Sequence, residues 1–172
     1  MTTANQPDAA RALLTRATQA LPTSQHPRLI ARFGKLEFQS PNGDIERGRT
    51  IFEGLVSTYP KNPDLWDLYL AQELSARGVA DGDTEKVRAL YERMAGMKMK
   101  PKRARFVFKQ WLAWETQMAQ EGKGDDKAVA KVRVLAEEYV EKQAQAKEDA
   151  EAGAVEEEVP KGSSKKDKKK AR

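Results

Sequence analysis

The chain repeats one pattern three times, and this repetition limits its fold more than any other feature. An aromatic residue is followed four positions later by glutamate at Phe33/Glu37, Tyr69/Glu73 and Trp111/Glu115. A further large apolar residue stands three positions before each aromatic: Ile30, Trp66 and Phe108. The i, i+3, i+7 spacing is one face of a helix. Downstream comes an Arg-x-x-x-Glu pair, at Arg49/Glu53, Arg88/Glu92 and Arg133/Glu137. The distance from glutamate to arginine grows from 12 to 15 to 18 residues, and the added residues fall in "SPNGD", "RGVADGD" and "QEGKGDD". Clusters of Gly, Pro, Asn and Asp are loop and helix-start signals. A fixed pattern on helices, with length changes confined to loops, marks a helix-turn-helix repeat.

The second helix of each unit carries its own apolar stripe. Ile45, Gly48, Phe52, Leu55, Val56 and Tyr59 form the first, Val87, Leu90, Tyr91 and Met94 the second, and Val129, Val132, Ala136, Tyr139 and Val140 the third. Asp44 and Asp83 stand where an N-cap is needed, and Asp125 or Asp126 can serve the third helix. At the N-terminus, "RALLTRATQALP" matches "RTIFEGLVSTYP", so residues 8–21 read as a second-type helix without its first. The expected fold is all-α, a helical-repeat solenoid of about seven helices over residues 8–145. Its parts are the orphan helix 8–21 and repeats at about 27–60, 63–97 and 102–145. Apolar periodicity stops near residue 146, and residues 146–172 read as a disordered tail with an acidic block followed by a basic end, "KKDKKKAR".

This pattern leaves little room for catalysis. The three glutamates belong to successive repeats, so they cannot form one acid–base pair, and their repetition marks a fold signature. His26 is the only histidine and there is no cysteine, which removes the usual metal ligands and thiol nucleophiles. No phosphate-binding glycine loop is present. The expectation is a protein that is not an enzyme and needs no cofactor. No window has the roughly 18 consecutive apolar residues of a membrane span. The opening stretch lacks a signal peptide's basic start and apolar core. A cytosolic or nuclear protein without a membrane partner is expected.

With an aromatic–glutamate step on the first helix and "RTIFE" or "RALYE" on the second, the chain resembles the half-a-TPR (HAT) repeats of RNA-processing proteins. The stretches "RGRTIFEGLVSTYPKNPDLWDLYLAQE" and "VRALYERMAGMKMKPKRARFVFKQWLAWE" narrow this further. They are similar to the C-terminal repeat region of the ribosome-biogenesis proteins that carry S1 domains ahead of their HAT repeats. The resemblance covers roughly residues 8–142 and includes no S1 domain. Thr15 departs from the expected glutamate of the orphan helix, and Ala136 from the aromatic before Glu137. The resemblance implies a nuclear, nucleolar scaffold in rRNA processing, with ribosome-assembly proteins and pre-rRNA as partners. Two other classes stay open: a HAT subunit of the mRNA 3′-end or splicing machinery, and a helical adaptor with no RNA role.

Charge adds one local feature. The formal net charge is +5. Lys98, Lys100, Lys102, Arg103, Arg105 and Lys109 form a run with no acid among them, which makes them candidate phosphate contacts. The rings among them read mainly as core: Phe108 and Trp111 copy positions of the other repeats, while Trp114 falls off the repeated positions and is expected to be partly exposed. The lysine-rich end is a candidate nuclear or nucleolar targeting segment. Leu13, Leu14, Ala17 and Leu21 of the orphan helix form an apolar face, expected to meet upstream repeats of a longer parent chain or a second copy. Light scattering checks this: Leu13→Ser with Leu14→Ser should reduce self-association without unfolding the other repeats. A monomer that is indifferent to both changes would rule that interface out.

Overall fold

The computed structural model of the chain describes residues 6–76 and 83–156. Among them are seven α-helices: α1 (Gln6–Ala20), α2 (His26–Gln39), α3 (Ile45–Thr58), α4 (Pro63–Ala76), α5 (Asp83–Ala95), α6 (Pro101–Gln120) and α7 (Asp126–Glu156). The described residues contain no strand. A 3₁₀ turn, Thr23–Gln25, leads into α2. The helices fall into two compact units that divide between Lys98 and Met99. The first holds α1 and two helix pairs, and the second holds the pair α6 and α7.

Local chemistry sets the helix starts. Pro27 and Pro101 occupy the first turns of α2 and α6, where a fixed φ suits the helix and a missing N–H costs nothing. The Asp44 carboxylate accepts the Arg47 N–H at 3.2 Å and caps α3. Asn62 accepts the Asp64 N–H at the head of α4, and Asp125 accepts the Ala128 N–H at the head of α7. Helix α5 begins at Asp83, and the residues before it lie outside those described. Gly122, with φ +71°, ends α6: its N–H donates to Ala119 O, and the Lys123 N–H reaches back to Met118 O.

In the first unit α2 packs on α3 through glycine. A Cβ on Gly34 would lie 2.9 Å from the Phe52 ring, and one on Gly48 would lie 2.7 Å from the Phe38 ring. Phe52 is fully buried, edge-on to Phe38 and stacked on Tyr69 of α4 with ring centroids 5.2 Å apart. Val87, Leu90, Tyr91 and Met94 of α5 are all buried, as their stripe predicts. Two surface ion pairs tie α3 to α5, Lys86–Glu46 at 3.0 Å and Arg93–Glu53 at 2.8 Å. Helix α1 packs on α2, with Leu13 about half exposed and Leu14 and Ala17 partly covered.

In the second unit, Phe108 of α6 meets Tyr139 of α7 with centroids 5.6 Å apart. The Tyr139 hydroxyl donates to Met99 O and accepts the Met99 N–H, pinning the segment before α6. Helix α7 continues to Glu156, eleven residues beyond the limit at 145 that loss of apolar periodicity implies. Ala and Glu make up most of this stretch, and their helix propensity favours continuing the helix without apolar periodicity. The remainder of the expected tail, 157–172, lies outside the described residues.

One buried ion pair joins the first two repeats. Arg49 Nε and Nη2 each donate to a different oxygen of Glu73, both at 2.8 Å, and Glu73 is fully buried. Removing one partner leaves an uncompensated charge in the core and should cost about 3–5 kcal/mol. Replacing both with apolar residues of similar size should cost much less. Urea unfolding of Arg49→Met, Glu73→Leu and the double variant tests this; a double variant as unstable as the sum of the singles would refute it.

Candidate nucleic-acid interface on helix 6

The repeated residues turn out to be structural, each in its own way. Glu37, Glu73 and Glu115 are all buried. Glu37 accepts the Asp44 N–H at 3.0 Å and closes the turn between α2 and α3. That turn admits only glycine at position 43, where a Cβ would lie 2.2 Å from the Glu37 carbonyl oxygen. Glu73 holds Arg49, and Glu115 accepts the Trp111 indole N–H at 3.2 Å. Of the preceding apolar positions, Trp66, Tyr69, Phe108 and Trp111 are buried, while Ile30 and Phe33 are partly exposed. Trp66 donates to Pro60 O and carries the Arg93 guanidinium over its ring at 4.9 Å. Burial, then the Glu53 and Glu73 carboxylates, pushes the Tyr69 phenol well above its usual range.

The arginines reach further than their spacing implies. Arg49 also takes Glu46 at 2.6 Å, and hydrogen bonds from Lys86 and Arg49 hold the Glu46 carboxyl below its usual range. Arg88 pairs with Glu85, one turn back, and Glu92 is exposed. The third pair differs. Arg133 and Glu137 are both exposed, and neither makes an ion pair among the described residues. Val140, expected on the buried stripe, is 67% exposed.

His26 is used locally: its Nε2–H donates to Leu21 O at 2.8 Å, bracing the start of α2. Among the described residues no group of three His, Asp or Glu side chains is placed to hold a metal ion. No described helix is long and apolar enough to cross a membrane.

The basic run separates into parts. Lys98 is exposed and ends the first unit; Lys100, Lys102, Arg103, Arg105 and Lys109 belong to the second. Lys102, Arg105 and Lys109 share one exposed face of α6, at i, i+3 and i+7. Lys100, Lys102, Arg105 and Lys109 make no ion pair among the described residues. Phe106, 49% exposed, lies within this stripe, and the Arg103 guanidinium covers its ring at 5.7 Å. Unlike the packing rings of α6, Phe106 faces outward. The signal that separates it is its offset from Phe108 and Trp111, which turns it to the opposite side of the helix.

Trp114 corrects an expectation in the other direction: it is 6% exposed, hardly more than Trp111. The buried band of α6 is broad, taking in Val107, Trp111, Trp114 and Met118 as well as Ala104, Phe108 and Glu115. A residue off the repeated triplet is therefore still inside.

No family model matches the chain. It is 44% identical over 131 residues to "rRNA biogenesis protein rrp5" of Schizosaccharomyces pombe, covering 76% of this chain and 7% of that protein. It is 38% identical over 145 residues to "Protein RRP5 homolog" of mouse, 84% of this chain and 7% of the relative. "rRNA biogenesis protein RRP5" of Arabidopsis thaliana gives 35% over 132 residues, 77% of this chain and 6% of the relative. The chain is homologous to a segment of the RRP5 family of rRNA biogenesis proteins. It spans about 7% of the length of the RRP5 relatives it matches. The names of the Schizosaccharomyces pombe and Arabidopsis thaliana relatives describe rRNA biogenesis and specify no catalysed reaction.

The burial of the two tryptophans has a direct consequence. Trp111→Ala and Trp114→Ala should each destabilise the protein by about 3–5 kcal/mol, because each opens a cavity that the core fills only in part. Denaturant midpoints measure both. A Trp114→Ala cost below about 1 kcal/mol would place that ring at the surface.

Proposed function

We propose that this chain is a non-catalytic scaffold in rRNA processing and ribosome biogenesis, acting in the nucleus and nucleolus. It holds assembly proteins on its helical-repeat surfaces and contacts pre-rRNA through the basic stripe of α6. The observation that carries the RNA contact is the grouping of Lys102, Arg105 and Lys109 around the exposed Phe106 on one helix face. Cations placed among exposed aromatic rings suit a single strand, whose phosphates and base faces both need partners. A second feature points the same way. Lys100, Lys102 and Arg103 crowd the start of α6, and its first turn contains no acid. Positive charge at a helix N-terminus opposes the helix dipole, and an arriving phosphate relieves that conflict. Lys98 and the lysine-rich end of the chain are further phosphate contacts in this reading. The RRP5 relatives of Schizosaccharomyces pombe and Arabidopsis thaliana support the rRNA assignment over mRNA 3′-end processing or splicing, because their names specify rRNA biogenesis.

Binding should be weak, sequence-tolerant and steeply salt-dependent. Fluorescence anisotropy with a labelled single-stranded RNA tests it. Lys102→Glu with Arg103→Glu should weaken binding and flatten the log–log salt slope by about 1.4, roughly 0.7 for each lost phosphate contact. Phe106→Ala should weaken binding without changing the slope. Binding that survives these changes and vanishes on deletion of residues 161–172 would transfer the contact to the tail.

A further inference from the structure

The second unit carries an open groove of about 560 Å³ between α6 and α7. Phe108 and Leu112 line one side, and Ala136 and Val140 the other. Arg105, Lys109 and Arg133 stand along its rim with one acid, Glu137. The repeat register explains what this groove is. Arg133, Ala136 and Glu137 occupy the positions that Arg49, Phe52 and Glu53 hold on α3. In the first unit those three residues grip α4. Arg49 makes the two-pronged bond to Glu73, Phe52 stacks on Tyr69, and Glu53 takes a hydrogen bond from the Tyr69 side chain. What they grip is thus a tyrosine followed four residues later by glutamate.

We propose that the α6–α7 groove is an unfilled copy of this socket, and that it takes an acidic amphipathic helix of another protein carrying a Tyr-x-x-x-Glu step. Arg133 would hold the glutamate, Glu137 the tyrosine hydroxyl, and the space over Ala136 the ring. Alanine in place of phenylalanine is what makes room for that ring, so it enters the groove where Tyr69 can only stack. Arg133 and Glu137 have no ion-pair partner among the described residues, in contrast to Arg49 and Glu53. The rim carries three cations against one acid, which favours an acidic occupant over a basic one, and the apolar floor of Phe108, Leu112, Ala136 and Val140 suits a helix face. Residues 157–172 of this chain contain no aromatic and end in a lysine-rich run, so they match neither the ring nor the charge. This inference deepens the scaffold reading by naming the kind of partner helix. Arg105 and Lys109 belong to both surfaces, but Lys102 and Arg103 lie outside the socket and Ala136 lies outside the basic stripe, so changes at those positions let the RNA contact and the socket fail separately.

The probe is a fluorescein-labelled, helix-stapled peptide with the sequence of residues 61–76, which contains the Tyr69/Glu73 step. It is titrated into the full chain by anisotropy. Arg133→Glu should weaken binding at least about ten-fold, and a peptide with Glu73→Lys should recover it against that variant only. Ala136→Trp, which fills the space, should abolish binding while circular dichroism and the melting temperature stay unchanged. Peptide binding that ignores both variants overturns the proposal, since it would then occur elsewhere. RNA binding lost in Ala136→Trp would make the groove a nucleic-acid site and also overturn it. A dimer of the chain that the peptide dissociates would assign the socket to a second copy. A more than ten-fold gain in peptide affinity on deleting residues 157–172 would assign it to the chain's own tail. Either result rejects a partner helix.

Discussion

The contact between Arg49 and Glu73 governs how the first two repeats can meet. A guanidinium and a carboxylate withdrawn from water are tolerable only when each satisfies the other with good geometry. Two parallel bonds at 2.8 Å meet that condition, and they do so for one placement of α3 against α4. Sliding either helix by one residue would bury both charges unpaired. The apolar contacts follow from that fixed register. Phe52 lands face to face with Tyr69, and Glu53 comes within reach of both the Tyr69 side chain and Arg93. Greasy surfaces alone would allow many nearly equal arrangements; the ion pair selects one.

The same logic applied to the rest of the chain separates charges that hold the fold from charges that face outward. On α3 and α5, Arg49, Lys86, Arg88 and Arg93 all have carboxylate partners. On α6, Lys100, Lys102, Arg105 and Lys109 have none among the described residues. The second unit packs Phe108, Trp111 and Tyr139 around one buried carboxylate, Glu115, and leaves these four cations exposed.

Much of this was legible in the sequence because helix periodicity and capping are local. The spacing of Phe33, Tyr69 and Trp111 from their glutamates placed all three carboxylates on buried helix faces, where they are. Asp44 was readable as a cap for the same reason. Less was legible where the answer depends on a neighbour. The Arg-x-x-x-Glu spacing leaves open whether an ion pair forms within a helix or between helices, and it does not point to Glu73, 24 residues away, which holds Arg49 in the core. Trp114 lay off the repeated triplet, and the breadth of α6's buried band is a property of packing that the triplet does not encode. The extension of α7 to Glu156 is not legible in apolar periodicity, because that signal reports burial and a helix can also continue on the propensity of Ala and Glu. Ala136 was visible as a departure. Its effect, a groove with Val140 exposed on its wall, needed the opposite helix to be in place.

Three of the ties between elements share a sequence separation. Lys86 to Glu46, Arg93 to Glu53 and Tyr139 to Met99 are each 40 residues apart, about one repeat. A chain stitched at that interval closes only short loops as it folds, and the entropy of closure grows slowly with length. Such topologies nucleate at more than one place and grow outward by adding neighbours. The same stitching lets damage stay local. A lesion in a helix pair of the first unit frees the groups that pair held, while the second unit keeps its own Tyr139–Met99 clasp and so its own surface.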